Sequence, residues 1–143
     1  MDSVTGINGV LFVSAGPSIT KPESGEGTRL NQLSRRLAAD VDGFTLVPES
    51  EQSPAPAWVT EQYTYRQWSF PYLTDLNPAF VRAVRRVLSR EEIDVVHGSA
   101  GVCAVKLSTQ FKRDTTCLYA AQNVEADHVR NFVNPDLPAY KRL

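Results

Sequence analysis

"VLFVSAGP", residues 10–17, is the stretch on which the fold turns. Four consecutive apolar residues, Val10 to Val13, lead through Ser14-Ala15 to the breaker pair Gly16-Pro17. A strand with one face in water alternates apolar with polar residues, whereas an unbroken apolar run requires apolar neighbours on both faces. This is the pattern of an inner strand of a parallel sheet. Successive parallel strands need crossovers of about a dozen residues or more, usually helical, so the stretch predicts what should follow it.

Helices and further short strands do follow. After the polar loop "ITKPESGEG", the segment "TRLNQLSRRLAAD" places Leu30, Leu33 and Leu37 at helical spacing, with Arg29, Arg35 and Arg36 turned away. This predicts an amphipathic helix closed near Asp42-Gly43. "FTLVPE", residues 44–49, reads as a second strand stopped at Pro48, and "EQYTYRQWSF", residues 61–70, as a third that ends at Pro71. Asn77-Pro78 then opens a second helix as cap and first helical residue. Phe80, Val81, Val84, Val87 and Leu88 form its apolar face, and Arg82, Arg85, Arg86 and Arg90 a solvated one. "IDVVHG", residues 93–98, is another strand, residues 101–112 a helical segment, and "TTCLYAA" a last strand. Strand and helix alternate throughout, which predicts an α/β fold: a Rossmann-like parallel sheet with flanking helices.

At 143 residues and 42% apolar side chains, the chain has enough material for one domain with its own core. Its formal net charge of -1 gives no electrostatic reason to expect a nucleic-acid partner. The amino terminus has an acid, Asp2, where a signal peptide would have basic residues, and no stretch approaches the roughly 20 apolar residues of a membrane span. The expected location is the cytoplasm. Cys103 and Cys117 lie in apolar segments without CxxC spacing, and both are expected to be buried thiols. The last residues, "AYKRL", look like the opening turn of a helix without a terminator, so the chain is expected to be part of a longer protein.

Ligands of an open parallel sheet bind outside the carboxyl ends of the strands, so the residues just past each strand matter together. Past the first strand lies "SGEGTR", where Gly25 and Gly27 are expected to precede a helix beginning at Thr28 and Arg29. Such a junction offers free backbone N–H groups and a positive helix end to an anion, or it only turns the chain. It is not a dinucleotide fingerprint: the strict G-x-G-x-x-G is missing, and residues 16–24 separate Gly25 from the strand. His97 ends a strand, where it either hydrogen-bonds a substrate hydroxyl and moves a proton or satisfies a loop carbonyl. Gln122, Asn123 and Glu125 follow the last strand, with Asn123 suited to cap a helix and Glu125 to its first turn. Tyr63, Tyr65, Trp68, Phe70 and Tyr72 read either as the lining of a groove for sugar or lipid or as core and hairpin packing.

In order and spacing, "VLFVSAGP", "SGEGTRLNQLSRRLA", "IDVVHG" and "YAAQNVEAD" resemble the amino-terminal, acceptor-side domain of the family 4 glycosyltransferases, which have the two-domain GT-B fold. The resemblance covers about residues 9–133, and its most specific element is "NVEAD" directly after a strand. It implies one half of a GT-B enzyme, a hexosyltransferase that moves a sugar from a nucleotide-sugar donor to an acceptor hydroxyl with retention. Gly25, Gly27 and Thr28 then lie at the interdomain cleft near the donor diphosphate, His97 contacts the acceptor as the catalytic candidate, and Gln122, Asn123 and Glu125 complete the substrate-binding set. Family members commonly have His where this chain has Gln122; an amide does not titrate, so Gln122 can hydrogen-bond an acceptor but not serve as base. Neither a cofactor nor a metal is implied. The expected partners are the nucleotide sugar, a sugar or lipid-linked acceptor and, with the latter, peripheral membrane association. The carboxyl-terminal domain, with paired glutamates in an E-x7-E pattern, is not within these residues, so the 143 residues alone are expected to be inactive. The competing expectations are a small flavodoxin-like nucleotide- or phosphate-binding module and, less favoured by the glycine pattern, a nicotinamide-dependent oxidoreductase.

Overall fold

A computed structural model describes residues 6–13, 25–51, 53–68, 77–98 and 114–119. They form strand β1 (Gly9–Val13), helix α1 (Gly25–Leu37), β2 (Asp42–Pro48), a 3-10 turn (Glu49–Glu51), β3 (Glu61–Tyr65), helix α2 (Pro78–Arg90), β4 (Val95–Gly98) and β5 (Thr116–Tyr119). The five strands make one sheet in the order β3-β2-β1-β4-β5, and every pairing is parallel. The α/β, Rossmann-like class follows from this arrangement. β1, whose apolar run implied burial on both faces, is an inner strand with no residue more than 5% exposed among Val10 to Val13.

The pleat divides the core in two. Leu11 and Val13 of β1, Phe44 and Leu46 of β2 and Val96 of β4 point to one face, where α2 covers them with Phe80, Ala83, Val84, Val87 and Leu88. Val10, Phe12 and Val95 point to the other, where Leu30 of α1 meets them and Ala38, Val41 and Trp58 pack at the margin. Full burial of an aliphatic or aromatic side chain contributes about 1.5–3 kcal/mol, so the five-residue face of α2 anchors it far more strongly than α1. Asn77 caps α2 as its sequence suggested: Oδ1 accepts from Ala79 N at 3.0 Å, Nδ2 donates to Arg66 O at 2.9 Å, and Pro78 follows in the first turn.

Several expectations change. Of the three α1 leucines only Leu30 is buried; Leu33 and Leu37 are 37% and 42% exposed, and the second residue of α1 turned fully inward is Ser34. The reason is close approach: a Cβ at Gly43 would lie 2.7 Å from the Cβ of Ala38, so the end of α1 sits nearly on the strand and larger side chains are displaced to its flanks. α1 also closes at Leu37, and Gly43 belongs to β2. β3 is five residues long, and its pairing with β2 is parallel, so its aromatics serve no hairpin. Tyr65 is in the core, edge-on to Phe80 at 5.0 Å, and Tyr63 donates its hydroxyl to Glu91 Oε1 at 2.5 Å. Trp68 is exposed; Phe70 and Tyr72 lie outside the described residues. Cys117 is exposed rather than buried, because β5 has one strand neighbour among the described residues and contributes to neither core cluster. Cys103, the helical segment 101–112 and the tail lie outside the described residues.

Candidate functional site

The strand order sets where a ligand can enter. From β1 the chain goes to β2 on one side; β4 lies on the other side of β1 and leads to β5. The chain therefore diverges between β1 and β4, and in an open parallel sheet the crevice beyond that point is the usual ligand site. β1 and β4 end level with one another, Val13 opposite Gly98.

α1 brings its first turn to the same end of the sheet. Its far end is fixed against the early part of β2 by the Ala38–Gly43 contact. The 13 residues from Ala38 back to Gly25 span about 20 Å of helix, whereas Gly43 to Pro48 spans about 17 Å of strand. β1 and β4 end level with Leu46, about 10 Å on from Gly43, so the helix start lies beyond the ends of these two strands. Gly25 and Gly27 are themselves in this first turn, a correction to the expectation that they precede it. The change matters chemically, since first-turn N–H groups have no partner within the helix. Thr28 and Arg29 are exposed.

His97 is the penultimate residue of β4, in register with Phe12 on one side and Leu118 on the other. It alternates with Val96 and so faces the α1 side. The side chain is 7% exposed, and its ring lies 6.0 Å from that of Phe12 at an interplanar angle of 61°. Burial lowers the imidazole pKa below its ordinary value, against a smaller opposing contribution from a backbone hydrogen bond. The ring is therefore neutral at pH 7, with one nitrogen to donate and one to accept.

Two parts of the sequence-predicted site, the first turn of α1 and His97, thus share one face of the sheet, His97 just inside the carboxyl ends of the strands and the helix start beyond them. Gln122, Asn123 and Glu125 lie outside the described residues. Phe12 and Leu118, the flanks of His97, had no signal in the sequence, because strand register is a long-range property. Among the described residues there is no group of three or more His, Cys, Asp or Glu side chains placed to hold a metal ion. No described helix is long and apolar enough to cross a membrane. Neither a family model nor a curated protein matches the chain.

Proposed function

We propose that the chain is the acceptor-side half of a retaining glycosyltransferase of the GT-B type, acting with a second, nucleotide-sugar-binding domain. The observation that carries this reading is that the glycine-containing first turn of α1 lies beyond the carboxyl ends of the strands, on the same face of the sheet as a buried, neutral His97 beside the divergence of β1 and β4. Sugar transfer from a nucleotide sugar leaves a diphosphate and develops positive charge at the anomeric carbon. It needs an anion held and a hydroxyl aligned. First-turn N–H groups suit the anion, approached closely at positions with no side chain, and the helix dipole adds to them. A neutral imidazole suits the hydroxyl, accepting its hydrogen bond without placing a second positive charge beside the developing one. Gln122, Asn123 and Glu125 would complete the acceptor side, and a lipid-linked acceptor would draw the protein to a membrane surface.

The strand order bears on the alternatives. A flavodoxin-like sheet runs 2-1-3-4-5, whereas this one runs 3-2-1-4-5. A dinucleotide enzyme has the observed order, but its helix starts directly after β1; here residues 14–24 intervene. The test is NMR titration of the 143-residue chain with UDP- and GDP-sugars, inorganic pyrophosphate, NAD and FMN. Amide shifts in residues 25–28 and 96–98 with nucleotide sugars, and none there with NAD or FMN, are expected. A tight complex with FMN or NAD would overturn the reading.

A further inference from the structure

Every charge on α2 has the same sign. Its charged residues are Arg82, Arg85, Arg86 and Arg90, with no Asp or Glu between Asn77 and Arg90. All four are exposed, while Phe80, Ala83, Val84, Val87 and Leu88 pack into the core from the other side of the helix. Arg82, Arg86 and Arg90 follow at single-turn spacing and make a row of about 12 Å, with Arg85 beside it. The row faces away from the sheet.

Such a face weakens the helix that carries it. An Arg and a Glu one turn apart attract, whereas two arginines one turn apart repel, so a side kept only for solubility mixes the signs. α2 contains two like pairs at that spacing, Arg82 with Arg86 and Arg86 with Arg90. The first acid after them, Glu91, accepts a hydrogen bond from the Tyr63 hydroxyl of β3. An external anionic surface turns the repulsion into attraction. The formal net charge of the chain is -1, so this is a local patch on a protein with no overall basic field, which disfavours a nucleic acid as that surface. Two further residues favour lipid. Asn77, the cap of α2, donates to the carbonyl of Arg66 at 2.9 Å, so the exposed Arg66 stands beside the start of the helix, with Trp68 two residues on and 43% exposed. Tryptophan is enriched at the headgroup level of membranes, and arginine binds phosphate oxygens in pairs.

We propose that the arginine face of α2 is a docking surface for an anionic lipid bilayer. The helix lies flat on the headgroups, with Arg82, Arg86 and Arg90 on lipid phosphates and Arg66 and Trp68 at its amino-terminal end. Since the apolar side of α2 is held in the core, that side does not enter the hydrocarbon, and the attachment is electrostatic, peripheral and sensitive to salt. His97 faces the opposite side of the sheet, so this surface is separate from the site above and does not rest on the reaction assigned to it.

Co-sedimentation of the 143-residue chain with lipid vesicles tests the surface. Binding is expected to vesicles of equimolar phosphatidylcholine and phosphatidylglycerol at low ionic strength, with loss on adding salt and none to phosphatidylcholine alone. Arg82→Gln combined with Arg86→Gln should weaken binding roughly 30-fold, the attraction typical of two arginines at such a surface. Arg35→Gln combined with Arg36→Gln removes the same charge from exposed positions of α1 and should weaken it far less. The Arg82 and Arg86 double variant should unfold at no lower temperature than the native chain, since it loses a repulsive pair, which separates lost binding from lost fold. Equal losses from the two double variants would overturn the proposal, because only net charge would then matter. Equal binding to neutral vesicles, no binding to anionic ones, or tighter binding to a duplex oligonucleotide than to anionic vesicles would overturn it as well.

Discussion

At His97, the lowered pKa makes stability depend on acidity in a definite direction. The unfolded chain takes up a proton near the ordinary value of about 6.5, whereas the folded chain binds it only at lower pH. The stabilisation is therefore complete above about pH 6.5 and is lost as pH falls through the folded value. Urea unfolding of the native chain and of His97→Gln should show this: the native midpoint falls between pH 7 and pH 5 by more than that of the variant. Equal slopes would mean that the ring is not buried in solution. The sequence placed His97 at a strand end, but its ring contact with Phe12, eighty-five positions away, arises only from strand pairing.

The two helices show what periodicity can and cannot say about an element. α2 was legible almost residue by residue, because cap, proline and apolar face agree locally. α1 has equally regular leucine spacing, yet two of its three leucines are half-exposed. Spacing identifies a stripe; it does not say how closely the helix approaches the sheet, and here the approach at Gly43 turns Ser34 inward. Leu30→Ala should destabilise by about 2–5 kcal/mol, as for other buried leucines. Leu33→Ala and Leu37→Ala should each cost less than about 1 kcal/mol. Chemical denaturation of the three variants checks the contrast, and similar losses at all three positions would refute the docking of α1 described above.

At the scale of the whole molecule, the proposed ligand edge and a structural edge lie at opposite ends of the strands. At the structural edge, Asp94 Oδ2 accepts from Asn8 N at 2.6 Å and Gly9 N at 3.4 Å, while Asp94 N donates to Gly9 O at 3.0 Å. This fastens the start of β1 to the start of β4, at the opposite end from the proposed site. Asp94→Ala should therefore lower global stability by about 1–3 kcal/mol while leaving the affinity for nucleotide sugar unchanged, measured by denaturation and calorimetric titration respectively. A joint loss would mean that the two edges are coupled. The α/β class and the parallel sheet were determined by the sequence alone, because an apolar run free of polar alternation is stable only between two covered faces. So was the capped start of α2, which depends on neighbours a few positions apart. Only the tertiary structure decided the order 3-2-1-4-5, the register that sets His97 against Phe12, and the helix approach that buries Ser34 and exposes Leu33. Each is a contact between residues distant in the chain, set by which faces pack and how closely, and local spacing has no term for that.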